Sequence, residues 1–278
     1  MPAALALDIG GTKLAAAVVT RSGRLVARER RTTAGSDGED LFRTVRDLLG
    51  SVRSAAATAD EPADDLDVIG VGCGGPMERG GAAVSPLNIP QWRGFPLRDR
   101  LADWSGLPAF VDNDAKALAL GEGWLGAARG ERDYLAMVVS TGVGAGIVVD
   151  GRLLDGASGN AGHLGHVIVD PLGRACVCGA RGCLEAQVSG TAIAAATGHP
   201  ASEAPEELRA WAGRLVGRAV ASAANLLDLR VAVVAGSVAL GYGDVFFRAA
   251  SEEADRCARL DFSRGVRVVP TGCGADGP

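Results

Sequence analysis

One pattern is written twice along this 278-residue chain, and it restricts the possible folds more than any single motif does. The first apolar run, Ala3 to Ile9, meets Gly10-Gly11, resumes as Leu14 to Val19, turns at Arg21-Ser22-Gly23 and continues as Arg24-Leu25-Val26. Later, Leu135 to Val139 meets Thr141-Gly142-Val143-Gly144, resumes as Gly146 to Val149, turns at Asp150-Gly151 and continues as Arg152-Leu153-Leu154. Apolar runs of strand length separated by a glycine turn read as a β-hairpin, so each copy predicts a three-stranded meander. Two such meanders are either a recurrence of a common hairpin or the openings of a duplicated α/β lobe with a cleft between the copies. In the second case, two glycine turns facing one cleft offer many backbone N–H groups to a single polyphosphate.

Between and after the meanders the pattern alternates helix and strand. Ser36 and Glu39 have capping-box spacing ahead of Leu41, Val45, Leu48, Leu49 and Val52 at helical period. Strands are expected at Val68 to Gly72, Ala109 to Val111, Val231 to Val234 and Val266 to Val269. Helical runs are expected from Pro96 to Trp104, stopped by Gly106, and from Ala115 to Leu120. The closing Asp276-Gly277-Pro278 reads as a helix start, so a final helix is expected to be missing.

Composition narrows the function classes. With 40 glycines and 4% aromatic residues, the cores must be built from Ala, Val and Leu. A net charge of -5 gives nucleic acid or an anionic membrane nothing to hold. The longest apolar stretch, Tyr134 to Val149, is broken by glycines and falls short of the roughly 18 apolar residues of a span. The N-terminus lacks the basic start and apolar core of a signal peptide, so the cytoplasm is the expected compartment. Three of six cysteines cluster between 176 and 183, which argues for metal rather than disulfides.

Chemistry concentrates in four places. Asp8-Ile9-Gly10-Gly11-Thr12-Lys13 combines a backbone open to an anion with a hydroxyl and a cation, and Asp8 is placed to hold Mg²⁺ through water. The motif is not a P-loop, because Walker spacing is absent and a strand follows; alone it reads equally as a tight hairpin. Pairing it with Ser140 to Gly146 favours phosphate. Asn113-Asp114 sits where a strand gives way to a helix, so Asp114 reads either as an N-cap or as a base. His166, Cys176, Cys178 and Cys183 supply one imidazole and three thiolates, a closed tetrahedral set for structural zinc, with Gly179 and Gly182 giving the loop its freedom. Cys73, Cys257 and Cys273 read as small apolar residues.

These motifs, with Leu87-Asn88-Ile89-Pro90-Gln91-Trp92, resemble the ROK family (repressor, open reading frame, kinase) of the hexokinase and actin-like superfamily, over essentially the whole chain. The resemblance implies a two-lobed actin-like ATPase fold, with an N-terminal lobe over 1–112 and a C-terminal lobe over 113–278. It implies an ATP-dependent sugar kinase using Mg²⁺ and acting on the 6-hydroxyl of a hexose or N-acetylhexosamine. Gly10, Gly11, Thr12, Lys13, Thr141, Gly142 and Gly144 would follow the ATP phosphates, with Gly236 and Ser237 near the adenosine. Asp114 would be the catalytic base, while Asn88 and Asn113 would bond ring hydroxyls. The zinc loop would deliver His166 and Glu185 to the sugar. Family members are dimers or tetramers, and lobe closure is expected on sugar binding. Members that are repressors carry a helix-turn-helix before the first phosphate turn, for which this sequence shows no room.

Two departures stand out. Lys116 takes the last place of an Asn-Asp-Ala-Asn motif; it reads as a solvated helix residue or as a charge biasing Asp114. His163 stands where most sugar kinases of the family have a sugar-binding Glu, which changes the hydroxyl pattern that can be satisfied. A Gly-His-Leu-Gly-His run followed by Asp170-Pro171 is similar to the N-acetylmannosamine kinases of the family, with a glucokinase-like member, or a kinase of another sugar-like polyol such as a cyclitol, as the alternative. His163 packing beneath the loop is the plainer reading.

Overall fold

Alternation in the first run does what period two requires. In β1 (Ala3–Ile9) every odd position is buried, and the strand pairs antiparallel with β2 (Lys13–Thr20) from Ala3↔Thr20 to Ile9↔Leu14. β3 (Leu25–Thr32) completes the meander along the outer edge of β2. The computed structural model describes residues 2–61, 63 and 65–273, and the C-terminal residues read above as a helix start lie outside them.

Helix α1 (Gly38–Ala57) buries Leu41, Phe42, Val45, Leu48, Leu49 and Val52. Its cap is Asp37, not Ser36: the Asp37 carboxylate accepts from Asp40 N at 2.8 Å, while Ser36 donates its own N–H to Asp40 Oδ2 at 3.0 Å. Asp and Ser cap equally well, and the apolar face sets the helix start one residue later than the Ser36–Glu39 spacing suggests. β4 (Leu66–Cys73) runs parallel to β1, and β5 (Ala109–Asn113) runs parallel to β4. Between them α2 (Leu97–Ser105) ends at Gly106 in the left-handed conformation, φ 72°. α3 (Asp114–Trp124) starts directly from β5.

The second half repeats this order. β6 (Tyr134–Val139), β7 (Val143–Val149) and a short β8 (Arg152–Leu153) form the meander. α4 (Leu184–Val188), α5 (Gly190–Thr197) and α6 (Glu206–Leu227) lead to β9 (Val231–Ala235), α7 (Ser237–Cys257) and β10 (Arg267–Pro270). The two sheets run β3-β2-β1-β4-β5 and β8-β7-β6-β9-β10, each with two antiparallel pairings followed by two parallel ones. Identical order and pairing sense make the repeat a duplication of topology rather than a recurring hairpin.

Each sheet has its own core, aliphatic as the composition requires: Leu5, Leu7, Val45, Leu48 and Ile69 in the first, Leu135, Val139, Leu215, Val220 and Val234 in the second. By contacts the described chain divides into one unit reaching to Ala117 with Gly156–Asn160, and a second made of Leu118–Asp155 and residues 161–273. Thus residues 113–117, placed in the second lobe on sequence, contact the first. The cause is the tight start of α3: a Cβ on Gly72 of β4 would lie 3.4 Å from both Ala117 Cβ and Asp114 Cα. Among the described residues no helix is long and apolar enough to cross a membrane.

Candidate functional site

In the first unit the glycine turn joins β1 to β2. Gly10 N donates to Lys13 O at 3.0 Å, and Thr33 clamps the turn by donating its hydroxyl to Gly10 O at 2.6 Å and its N–H to Thr12 O at 3.0 Å. Thr12 and Lys13 are left exposed. Gly11 has to be glycine, because a Cβ there would lie 2.5 Å from Asn88 Cβ. Asn88 itself is exposed on a loop pinned by its neighbours. Ile89 and Trp92 are buried, Trp92 Nε1 donates to Gly38 O at 3.0 Å, and its ring stacks on Phe95 at 4.7 Å. The Leu87 to Trp92 motif therefore anchors itself to the start of α1 and presents one amide beside the turn.

Asn113 and Asp114 occupy the corner between β5 and α3. Both Asn113 Oδ1 (3.1 Å) and Asp114 Oδ1 (2.8 Å) accept from Ala115 N, so the two carbonyl-bearing side chains share one helix N-terminus. The N-cap position falls to Asn113, whose side chain accepts from the N–H two residues on, while Asp114 is the first residue of α3 and stays exposed. Asp8 is half-buried in the same unit. Burial first, and then the negative charge of Asp114, push its pKa up to about 6, with Lys13 and Arg30 pulling the other way. The two carboxylates thus feel each other's charge beside the β1–β2 glycine turn.

Lys116 is the clearest departure from expectation. Far from being solvated, it is 1% exposed, with Nζ donating to Gly159 O at 3.0 Å and lying 3.4 Å from Asp112 Oδ1. A lysine is buried this completely only when acceptors surround its ammonium.

In the second unit the β6–β7 turn is held from three sides. Gly190 N donates to Ser140 O at 2.7 Å, the Thr191 hydroxyl donates to Thr141 O, and Val143 N donates to Glu185 Oε2 at 2.9 Å. Thr141 is exposed and Gly142 sits in the turn, whereas Gly144 lies inside β7 opposite Val138. Ser140 and Ser237 hydroxyls are 2.9 Å apart, which brings Gly236-Ser237 at the start of α7 to this turn. Beside them lies a cavity of about 350 Å³, lined among others by Thr191, Ala194, Pro200, Ser202, Val238 and Tyr242. Of this lining, sequence reasoning identified only the two turns. Ser189, whose Oγ accepts from Ala192 N at 3.1 Å, is an N-cap signal that marks the helix carrying Thr191.

The cysteine loop closes on itself. His166, Cys176, Cys178 and Cys183 place four ligand atoms within 4.8 Å of one another. Cys176 Sγ is 3.6 Å from His166 Nδ1, and Cys178 Sγ is 3.7 Å from Cys183 Sγ. Gly179 and Gly182 both take positive φ, 93° and 78°. His163 is exposed at the entry to the 3-10 turn Leu164–His166, its ring 6.2 Å from that of His166, so it does not pack beneath the loop. Glu185 reaches the β6–β7 turn through Oε2.

Two units with the same mixed five-stranded sheet, each carrying a glycine turn between its first antiparallel pair, define an actin-like ATPase fold of the hexokinase type. The ROK family profile matches residues 4–245, and the chain belongs to that family. An N-acetylmannosamine kinase from Yersinia pseudotuberculosis is 38% identical over 256 residues, covering 86% of this chain and 84% of its own length. A glucokinase from Thermotoga maritima is 38% identical over 192 residues, which is 68% of this chain but 58% of that enzyme. Among solved structures, a ROK hexokinase from Thermus thermophilus aligns with a TM-score of 0.84 at 34% identity, over 99% of this chain and 94% of that one. A ROK glucokinase from Streptomyces griseus, solved with glucose and AMPPNP, aligns at 0.81 and 28% identity, over 99% and 96%.

Proposed function

We propose that this ROK-family chain is an ATP-dependent sugar kinase that transfers the γ-phosphate to the 6-hydroxyl of an N-acetylhexosamine or hexose, with N-acetylmannosamine favoured. The reading is carried by Asp114, an exposed carboxylate set at a strand-to-helix corner beside Asn113 and within the field of Asp8. Phosphoryl transfer asks the protein for positioning, charge neutralisation and a proton acceptor. Asp114 takes the proton of the attacking hydroxyl, while Asn113 and Asn88 orient the ring. Thr12, Lys13, Thr141 and the backbone of both turns receive phosphate oxygens, and the cavity beside Ser237 takes the nucleoside. Magnesium, held through Asp8, supplies charge neutralisation at the phosphates.

Zinc fits the cysteine cluster. Bonds of about 2.3 Å to sulfur and about 2.0–2.1 Å to nitrogen give tetrahedral edges of about 3.8 Å between sulfurs and about 3.6 Å between nitrogen and sulfur. The observed 3.7 and 3.6 Å match both. With His166 Nδ1 facing the ion, Nε2 carries the proton and is a hydrogen-bond donor for the sugar. A closed four-ligand set is structural, holding His166 and Glu185 in place.

His163 supports the acetamido sugar: an exposed imidazole in place of an acceptor-only carboxylate no longer favours a purely hydroxylic ring position. Glucose remains the second reading, on the glucokinase likeness. The test is ADP release with Mg-ATP on glucose, mannose, fructose, N-acetylglucosamine and N-acetylmannosamine, run beside Asp114→Asn and His163→Glu. We expect turnover on N-acetylmannosamine, its loss by on the order of 10²–10⁴-fold in Asp114→Asn, and a shift towards glucose in His163→Glu. Near-parental turnover of Asp114→Asn would remove the base from the mechanism.

A further inference from the structure

The mechanism above gives no work to the buried lysine. Lys116 lies two residues beyond Asp114, in the first turn of α3, and is one of the largest fully buried side chains of the protein. Its ammonium lies between two acceptors of different kinds. Asp112 Oδ1, at 3.4 Å, belongs to the strand end before the Asn113-Asp114 corner, and that same oxygen accepts from Asn113 N at 2.7 Å. Gly159 O, at 3.0 Å, belongs to the segment Gly156–Asn160, which packs in the first unit although its flanking residues belong to the second.

The geometry is costly for a merely structural tie. An ammonium removed from water loses several kcal/mol of hydration, and a same-sized apolar side chain fills such a site at no such cost. Asp112 keeps its carboxylate about one-third exposed, so it does not itself require a buried partner. The arrangement does accomplish one thing that packing alone does not. It couples the peptide that enters the catalytic corner, through Asp112 and Asn113 N, to a segment that continues in sequence to His163. Gly159 is seated as well as held: its φ is 86°, and a Cβ there would lie 3.3 Å from Arg79 Cα.

We propose that Lys116 is a positioning residue for phosphoryl transfer, fixing the Asn113-Asp114 corner and the Gly156–Asn160 segment to each other through Asp112 and the Gly159 carbonyl. The inference rests on Asp114 as the base. Displacing a reacting group by about 1 Å costs on the order of 10²-fold in rate, so the lysine acts on kcat while ATP binding, which uses other residues, is unaffected.

The test compares Lys116→Met, Asp112→Asn and the double variant with the parent and Asp114→Asn. The readouts are kcat, KM for ATP and sugar, and thermal unfolding. Lys116→Met is expected to lose on the order of 10- to 100-fold in kcat with KM for ATP within twofold. Asp112→Asn keeps the Oδ1 acceptor but not its charge, and is expected to lose less. The double variant should lose no more than Lys116→Met, since the two residues act as one unit. Parental kcat in Lys116→Met with Asp114→Asn inactive would overturn the positioning role and leave the base standing. Parental kcat for Lys116→Met once the assay is run well below its unfolding temperature, with the deficit confined to temperatures where it unfolds, would also overturn it by showing a structural lysine only. Should Lys116→Met fail to fold, Asp112→Asn decides: a lowered kcat at parental unfolding temperature supports the role, and an unchanged kcat refutes it.

Discussion

Replacing Asp8 by Asn should make the protein more stable at neutral pH while impairing catalysis. In the folded chain the Asp8 pKa rises from 3.8 to about 6, first through burial and then through Asp114. A carboxyl whose folded pKa lies above its unfolded value stabilises the fold only while protonated. Its contribution is complete below pH 4 and lost as pH climbs through 6. At about 1.36 kcal/mol per pH unit, the rise costs the folded state about 3 kcal/mol at pH 7 and above. Asn has the same size and no charge, so Asp8→Asn removes that cost. With roughly 2–4 °C per kcal/mol for domains of 150–250 residues, the melting temperature at pH 7.5 should rise by roughly 6–12 °C. Calorimetry from pH 4 to 8 on both proteins is the assay. The difference should be largest above pH 7, shrink through pH 6 and close near pH 4. Curves that run parallel across this range, or a variant less stable at pH 7.5, would refute the reasoning, because neither burial nor Asp114 would then be acting on the carboxylate. Kinase activity should fall in the same variant, the stability–function conflict expected of a carboxylate with the proposed role of holding magnesium.

Two further predictions follow from the turns and the cysteine loop. Purified protein should carry one zinc per chain, and Cys183→Ser, at a fully buried position, should carry none and melt earlier; equal melting temperatures with and without metal would deny the loop its structural role. Gly11→Ala forces the new methyl against Asn88 Cβ at 2.5 Å, overpacking that costs about 1–3 kcal/mol and should raise the sugar KM about tenfold; an unchanged KM would show that the Asn88 loop gives way without consequence.

The meanders were legible in the sequence because alternation and glycine turns are local signals; the parallel strands that extend each sheet join it through long-range pairings that no local signal marks. The long helices α6 and α7 were not marked. Gly213 and Gly217 interrupt α6 and Gly243 interrupts α7, and glycine reads as a breaker when no partner is in view. In the fold Gly213 and Gly217 are contact residues, since a side chain there would run into the backbone of Phe246 and Ala250 on α7. The metal cluster could be read because four rare ligand side chains lie within eighteen positions. Lys116 could not: its burial depends on a carbonyl 43 residues away, and a lysine in a helix pattern gives no sign of that. The cavity beside Ser237 was hidden for a similar reason, being assembled from residues of four separate segments.

The two copies differ most in how the third strand reaches the first long helix. In the first, β3 leads to α1 through residues 33–37; in the second, β8 ends at Leu153 and α6 begins at Glu206. Residues 154–205 are thus a parenthesis opened in one repeat at the point where its edge strand was cut short. Inside it lie His163, all four cluster ligands, Glu185 and the Thr191 that holds the second turn. The residues proposed to set substrate preference and to hold a metal therefore share one insertion, which interrupts neither sheet. Gly159 lies within the same insertion, so the buried Lys116 ties it to the helix that starts at Asp114.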